Sequence, residues 1–475
     1  MNATPLPRII QGGMGIAVSD WRLAHAVSSR GQLGVVSGTA IDSVFVRRLQ
    51  DGDPGGHVRR AMAAFPMPGV VEQVLTRWFR PEGRAAGEKY RELPMYKQVV
   101  NKLRQQTTML AMFVEVWLAK EGHGNPVGVN LLTKIQLPNL ALLYGAMLAD
   151  ADYILMGAGI PREVPGALDA MSEGRAASMR LDVEGLASGD TEVFALDPQL
   201  YWDGPAPMLK RPRFLAIIAS NSLATMLARK ASGRVDGFIV EGPTAGGHNA
   251  PPRGATSFNE RGEPIYGERD VVDFPKLAEL GLPFWIAGGS GSPEGLQAAL
   301  DVGAAGIQVG TLFAFCDDSG LAQDYKHSVL EHAVKGDVDV FTDPNASPTG
   351  FPFKVVDWGA NPSDLDKRPR VCDLGYLRIA YKTKVGKVDY RCSAEPVDAY
   401  VKKGGIREET TGRRCLCNAL MANIGLPQVR EGGVEESPLL TSGDDLVTIQ
   451  HFLRGRTRYA AGEVLDYLLG TSPAD

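Results

Sequence analysis

Residues 283–313 read PFWIAGGSGSPEGLQAALDVGAAGIQVGTLF. An apolar run stops at a glycine turn, Ser292 and Pro293 open a helical pattern, and a second apolar run follows three residues after Gly303. Ser at the N-cap with Pro at the first helical position is a helix start, and a glycine past the last periodic residue is a stop. Two strands joined through a helix must run parallel, so the stretch is a βαβ unit. The same grammar extends along the chain. Strands are expected at 8–13, 33–38, 126–132, 153–159, 214–220, 237–243, 283–289 and 306–313, with the helix SDWRLAHAVSSRG (19–31), capped by Ser19 or Asp20, after the first. Near-continuous apolar runs suit strands covered on both faces. Eight such strands with interleaved helices predict an α/β fold, a (β/α)₈ TIM barrel.

Three departures from the repeat are expected. Residues 52–124 carry helical patterns (PGVVEQVLTRWF and YKQVVNKLRQQTTMLAMFVEVWLAKEG), a helical insertion after strand 2 able to cover the barrel top. Residues 175–212 alternate in ASMRLDVEG and TEVFALDPQ on either side of SGD, a hairpin insertion after strand 4. The expected division is a barrel over 1–340 and a C-terminal accessory region over 341–475, turn-rich at TDPNASPTGFPF and ending in the helix-like RYAAGEVLDYLLG.

The 475 residues are 44% hydrophobic and 22% charged, ordinary for a soluble globular chain, with a net charge of −5 that offers no broad basic surface to nucleic acid. Apolar stretches such as TMLAMFVEVWLA are too short and too charged to span a bilayer, so no membrane association is expected. MNATPLPRIIQGGMG shows no secretory pattern, which makes a cytoplasmic location the expectation. Five cysteines exclude a disulfide scaffold; Cys372, Cys392, Cys415 and Cys417 are spaced C-x19-C-x22-C-x-C, unlike zinc ribbons or ferredoxin sites. Structural thiols and no metal are expected, with a metal or redox role left open.

In such a barrel the active site is built at the C-terminal ends of the strands, and the notable residues fall there. Strand 1 ends in Gln11, Gly12, Gly13, Met14 and Gly15; strand 3 carries Asn130; strand 6 delivers Glu241 and the loop Gly246-Gly247-His248. Strand 7 ends in Gly288 and Gly289, and strand 8 carries Gln308, Gly310 and Thr311. Glycine-rich ends of two successive units admit an anion to backbone N–H groups, which favours a phosphate over turns alone. A dinucleotide fingerprint at GGMGIAVS fails, because Val18 stands in the third glycine position and strand 2 ends in Val36-Ser37-Gly38 without a ribose-binding acid. An unperturbed histidine titrates near neutrality, and His248 sits at a strand end among glycines, so a general acid–base role outweighs a packing role. His25, His57, His123, His327, His332 and His451 fall on predicted helices or insertions.

These pieces in order, IIQGGMGIAVSDWRLAHAVSSRGQLGVVS, GVNLL, EGPTAGGH and AGGSGSPEGLQAALDVGAAGIQVGT, resemble the FMN-dependent nitronate monooxygenase (2-nitropropane dioxygenase) family over roughly residues 5 to 335 apart from the insertions. The resemblance implies FMN backed by Gly12, Gly13 and Met14, with Asn130 beside the ring. It implies that Gly246, Gly247, Gly288, Gly289, Gln308, Gly310 and Thr311 cradle the ribityl phosphate and its chain. His248 matches the catalytic histidine, and oxidation of alkyl nitronates or nitroalkanes with O2 to carbonyl compounds and nitrite is implied. Glu241 stands where many members carry a flavin-contacting glutamine; buried there, its pKa should rise. The insertion and tail are similar in layout to larger flavin enoyl reductases of polyunsaturated fatty-acid and polyketide synthesis, which would imply NAD(P)H and an acyl carrier protein partner. A non-catalytic flavin-binding interaction module is the remaining alternative.

Overall fold

The computed structural model describes residues 5–359 and 368–471. Its central sheet holds eight parallel strands, numbered here around the barrel: β1 (Ile9–Gln11), β2 (Gly34–Ser37), β3 (Val127–Leu132), β4 (Tyr153–Gly157), β5 (Arg213–Ile218), β6 (Gly237–Glu241), β7 (Phe284–Ala287) and β8 (Gly306–Val309). The order is β1-β8-β7-β6-β5-β4-β3-β2. Between β2 and β1 the ring closes through Gln11 N–H donating to Leu33 O at 2.9 Å and Leu33 N–H to Ile9 O at 3.1 Å. The expected eight-stranded α/β barrel is therefore the observed one.

Alternation along each strand sorts its side chains. Ile10, Val35, Leu155, Leu215, Ile239 and Trp285 point into the barrel and pack as a separate buried cluster. Trp285 plugs the N-terminal end, its indole N–H donating to Pro7 O at 2.8 Å. Their neighbours, such as Ile9, Val36, Val129 and Phe284, join the larger core under the helices. With these side chains filling the barrel interior, the C-terminal mouth is where a barrel of this kind builds its ligand site.

Helix α1 (Trp21–Ser28) starts on Asp20, whose carboxylate accepts from Arg22 N–H at 2.9 Å. Ser19, the other cap candidate, serves the β1 loop instead, as described below. The insertion does not roof the barrel. After α2 (Ile41–Gln50), α3 (His57–Met62) and α4 (Pro68–Trp78), helix α5 (Lys102–Lys120) lies between α1 and α6 (Asn139–Leu148), against β2 and β3. It thus fills the ring position between β2 and β3. Buried on most of its circumference, α5 satisfies its charges locally: Arg104 pairs with Asp42 at 2.7 Å, and Glu115 pairs with Arg48 and accepts from Trp21 N–H at 3.0 Å.

The hairpin appears as Ala177–Leu181 paired antiparallel with Glu192–Leu196. Strand 8 is shorter than its apolar run suggests. It stops at Val309, and Thr311–Ala314 turn into a short helix, so Thr311 begins a helix rather than continuing a strand. The tail wraps the barrel: an antiparallel pair (Asp339–Asp343 with Phe353–Asp357) flanks the mouth, and the last helix, Ala461–Leu469, lies against α1 and the β7–β8 helix Pro293–Asp301. Among the described residues no helix is long and apolar enough to cross a membrane.

Candidate active site

At the C-terminal mouth a cavity of about 1670 Å³, counting its open entrance, is lined by the ends of β1, β3, β6, β7 and β8. Every site residue expected from the sequence lines it except Gly289, which lies one residue past the lining Gly288. None of the lining residues comes from 52–124. The roof is instead the tail, which contributes Phe353, Tyr376, Leu377, Leu416, Leu440 and Asp445 among others.

The floor is fixed by β1. Gln11 accepts from Val35 N–H at 2.9 Å and donates to Ser19 Oγ at 2.8 Å, while Ser19 Oγ accepts from Met14 N–H at 2.9 Å and donates to Gly12 O at 2.7 Å. This network holds Gly12, Gly13 and Met14 against the cavity. Asn130 donates from Nδ2 to Gly13 O at 2.7 Å. A Cβ on Gly13 would stand 2.2 Å from Asn130 Cβ, so only glycine fits. Gly13→Ala is expected to cost about 1–3 kcal/mol by overpacking, read from denaturant unfolding; an unchanged midpoint would show that the floor is loose.

Asn130 and Gln308 line this space, and each carries a buried acceptor, Oδ1 and Oε1, without a protein partner. A buried acceptor left unpaired costs about 1–3 kcal/mol, which a ligand donor would recover. Gly310 adds a second opening, since a Cβ there would meet nothing closer than Met14 Sδ at 3.5 Å. Nothing in the protein itself demands glycine at 310. Gly246 differs: its Cβ would strike Gly443 N and Ser442 C at 2.7 Å, so its hydrogen admits the tail and not a ligand.

The tail locks the β6 loop along its length. Gly247 N–H donates to Thr441 Oγ1 at 2.9 Å, Lys354 N–H to Gly247 O at 2.9 Å, Asn249 N–H to Pro352 O at 2.9 Å, and Asp444 N–H to Thr244 O at 3.0 Å. Gly443 N–H donates to Thr311 Oγ1 at 3.2 Å, which ties the same segment to the end of β8. His248 is set by this packing. Its Nε2 hydrogen-bonds Ser347 Oγ at 2.6 Å, Ser347 bonds onward to Thr349 Oγ1 at 2.8 Å, and the ring meets Phe353 edge to face at 4.8 Å. Burial lowers the imidazole pKa to about 4, so the ring is neutral at pH 7.

Glu241, at the end of β6, lines the main cavity and also an adjoining one shared with His248, Arg253, Tyr266 and Asp270. Burial alone lifts its carboxyl pKa to about 8. Asp445, also on the cavity wall, is likewise raised by burial, while the Gly291 N–H that it accepts holds it down in part. Ser347, the Ser442–Gly443 segment and Asp445 carry no motif, and the sequence offers no signal for them.

Residues 204–343 match the family described as Nitronate monooxygenase. A probable nitronate monooxygenase of Staphylococcus saprophyticus is 34% identical over 127 residues, 26% of this chain and 33% of that protein. The (3aS,4S,5R,7aS)-5-hydroxy-7a-methyl-1-oxo-octahydro-1H-indene-4-carboxyl-CoA dehydrogenase of Rhodococcus jostii is 32% identical over 142 residues, 30% of this chain and 35% of that one. The matches thus span about a third of these relatives' lengths. The solved enoyl reductase domain from the macrolactin biosynthesis cluster of Bacillus amyloliquefaciens covers 98% of this chain and 93% of its own at 13% identity with a TM-score of 0.50, a likeness of fold alone. Residues 204–343, which supply β5 to β8, Glu241 and His248, carry the sequence pattern of the nitronate monooxygenase family.

Proposed function

We propose that this chain is an FMN-dependent oxidoreductase of nitronate monooxygenase type, oxidising alkyl nitronates or nitroalkanes with O2 to carbonyl compounds and nitrite. The observation that carries the reading is a neutral, fixed His248 on the same cavity as two unpartnered acceptors, Asn130 Oδ1 and Gln308 Oε1. Those acceptors and the open position at Gly310 fit a polyhydroxylated, ring-bearing cofactor. Gly12, Gly13 and Met14 would back the FMN ring with Asn130 and Glu241 at its edge, and Gly247, Gly288, Gly289, Gln308, Gly310 and Thr311 would hold its chain and phosphate. Gly246 drops out of that set, its space being taken by the tail. When bound, FMN supplies an electron acceptor that O2 can turn over.

The protein's own part is proton handling and exclusion of water. In the tautomer that carries its proton on Nε2, directed at Ser347 Oγ, His248 Nδ1 holds the lone pair that takes the proton α to a nitro group. The resulting nitronate is an anion, and its charge next to the imidazolium favours the protonated ring that an empty, buried site disfavours. Glu241, protonated at pH 7, donates a hydrogen bond as a glutamine would.

A second reading has its own support. Phe315, Leu321, Leu377, Leu416, Leu420 and Leu440 give the cavity an apolar wall suited to an acyl chain, and the Rhodococcus relative bears the name of a dehydrogenase of a carboxyl-CoA thioester. Under this reading the chain is an NAD(P)H-dependent enoyl-thioester reductase served by an acyl carrier protein. One experiment separates the two: flavin absorbance of purified protein during aerobic and anaerobic turnover with alkyl nitronates, and with NAD(P)H. Reduction by nitronate and reoxidation by O2 is the expected result. Rapid bleaching by NADPH with reoxidation by a crotonyl thioester would replace the monooxygenase reading with the reductase one.

A further inference from the structure

Four of the five cysteines converge. Cys372, Cys392, Cys415 and Cys417 come from three separate segments of the tail and line one small cavity, together with Leu377, Arg378 and Leu416. None of them forms a disulfide. The thiols stand as two hydrogen-bonded pairs, Cys372 with Cys392 and Cys415 with Cys417, and each pair is near enough to feel the other's charge.

Donors surround the sulfurs. Asn418 Nδ2 lies 3.5 Å from Cys415 Sγ, the Arg368 guanidinium also hydrogen-bonds Cys415, the Ala394 backbone N–H serves Cys392, and the Arg378 charge lies beside Cys372. A buried cysteine that only fills space behaves as a small hydrophobe and has no use for N–H donors, two arginines and a void between thiols. Thiolates bound to metal need all three, because N–H groups and cations compensate the charge brought in by four sulfurs.

The arrangement also selects the kind of metal group. A structural zinc draws four ligands around a single point at about 2.3 Å from each sulfur. Among the described residues, no three His, Cys, Asp or Glu side chains are placed to hold one ion. Two thiol pairs lining one cavity suit instead a polynuclear group, in which separate metal atoms take separate cysteines.

We propose that Cys372, Cys392, Cys415 and Cys417 ligate an iron–sulfur cluster in the wall of the main cavity. The sequence spacing gave no reason to expect it, since the site is assembled by the fold of the tail. Leu377, Leu416 and Cys417 line both cavities, so the cluster would tie together three tail segments at the wall they share with the active site. The inference does not depend on which flavin reaction the barrel performs.

The full chain, isolated without oxygen or reconstituted with ferrous iron and sulfide, is expected to hold iron and acid-labile sulfide in equal amounts. About two or about four irons per chain would distinguish the two cluster types that four cysteines support. Mössbauer spectra and electron paramagnetic resonance after reduction read the cluster without interference from flavin absorbance. Cys392→Ser is expected to lower bound iron at least severalfold, whereas Cys316→Ser, at a cysteine that does not line the cavity, should leave it unchanged. Stoichiometric zinc in place of iron would overturn the proposal. So would an iron-free chain after reconstitution whose four thiols all alkylate, or an intact mass showing two disulfides. Because the wild-type metal content alone decides among these, a variant that fails to fold does not protect the proposal.

Discussion

His248→Ala is expected to keep its flavin and to lose about 10²–10⁴ in kcat/KM on neutral nitroalkanes, while turnover of preformed nitronates falls far less. The difference follows from the site. Neutral nitroalkanes need a proton removed, and the His248 imidazole on the cavity wall is kept uncharged by burial, with its pKa about 4, and oriented by Ser347. Preformed nitronates have already lost that proton. Steady-state rates on the two substrate forms, with flavin content measured on the same samples, check the expectation. Equal loss on both would mean that His248 only packs against Phe353. Ser347→Ala separates positioning from chemistry: losing one hydrogen bond worth about 0.5–1.5 kcal/mol should cost roughly twofold to tenfold in kcat on nitroalkanes, with KM little changed. A matching fall on nitronates would assign Ser347 to general stability.

The barrel was legible because its strands are short apolar runs closed by glycine, and because such runs must be covered on both faces. The site was legible for the same reason, since residues at strand ends share one mouth whatever separates them in the chain. Two things were hidden. α5 fills an ordinary ring position, but the long stretch before it breaks the repeat, so the sequence suggested a lid where the fold has a wall helix. The true roof leaves no motif because its grip on the β6 loop is mostly backbone: Lys354 N–H on Gly247 O, Asn249 N–H on Pro352 O, Asp444 N–H on Thr244 O. Gly246 shows the resulting ambiguity, being glycine for the tail although it sits where a cofactor loop was expected. Thr311 shows another, since an apolar run continued past the point at which the strand becomes a helix.

Glu241→Gln is expected to abolish an alkaline fall in activity that the native chain shows. Burial holds this carboxyl near pKa 8, so at pH 7 it is largely protonated and can donate to the flavin edge or an anionic substrate. Above pH 8 the carboxylate appears in a buried site beside a nitronate, where like charges repel, and kcat/KM for nitronates should fall about tenfold per pH unit once the pH is well past 8. His248 titrates near pH 4 and does not supply this limb. The glutamine variant should match the native rate at pH 7 and stay level to pH 9.5. Stability gives an independent reading in cofactor-free protein. The folded pKa lies above the ordinary 4.5, so between about 4.5 and 8 the native state holds more protons than the unfolded chain, and stability declines as pH rises through that window. Glu241→Gln removes the decline, a gain at pH 9 of up to about 5 kcal/mol and less if cavity water solvates the carboxylate. Urea unfolding at pH 5 and pH 9 measures it. If variant and native chain keep the same alkaline limb and the same pH-dependent stability, then Glu241 is ionised at pH 7, and its place beside the cavity must serve a cation instead of an anionic substrate.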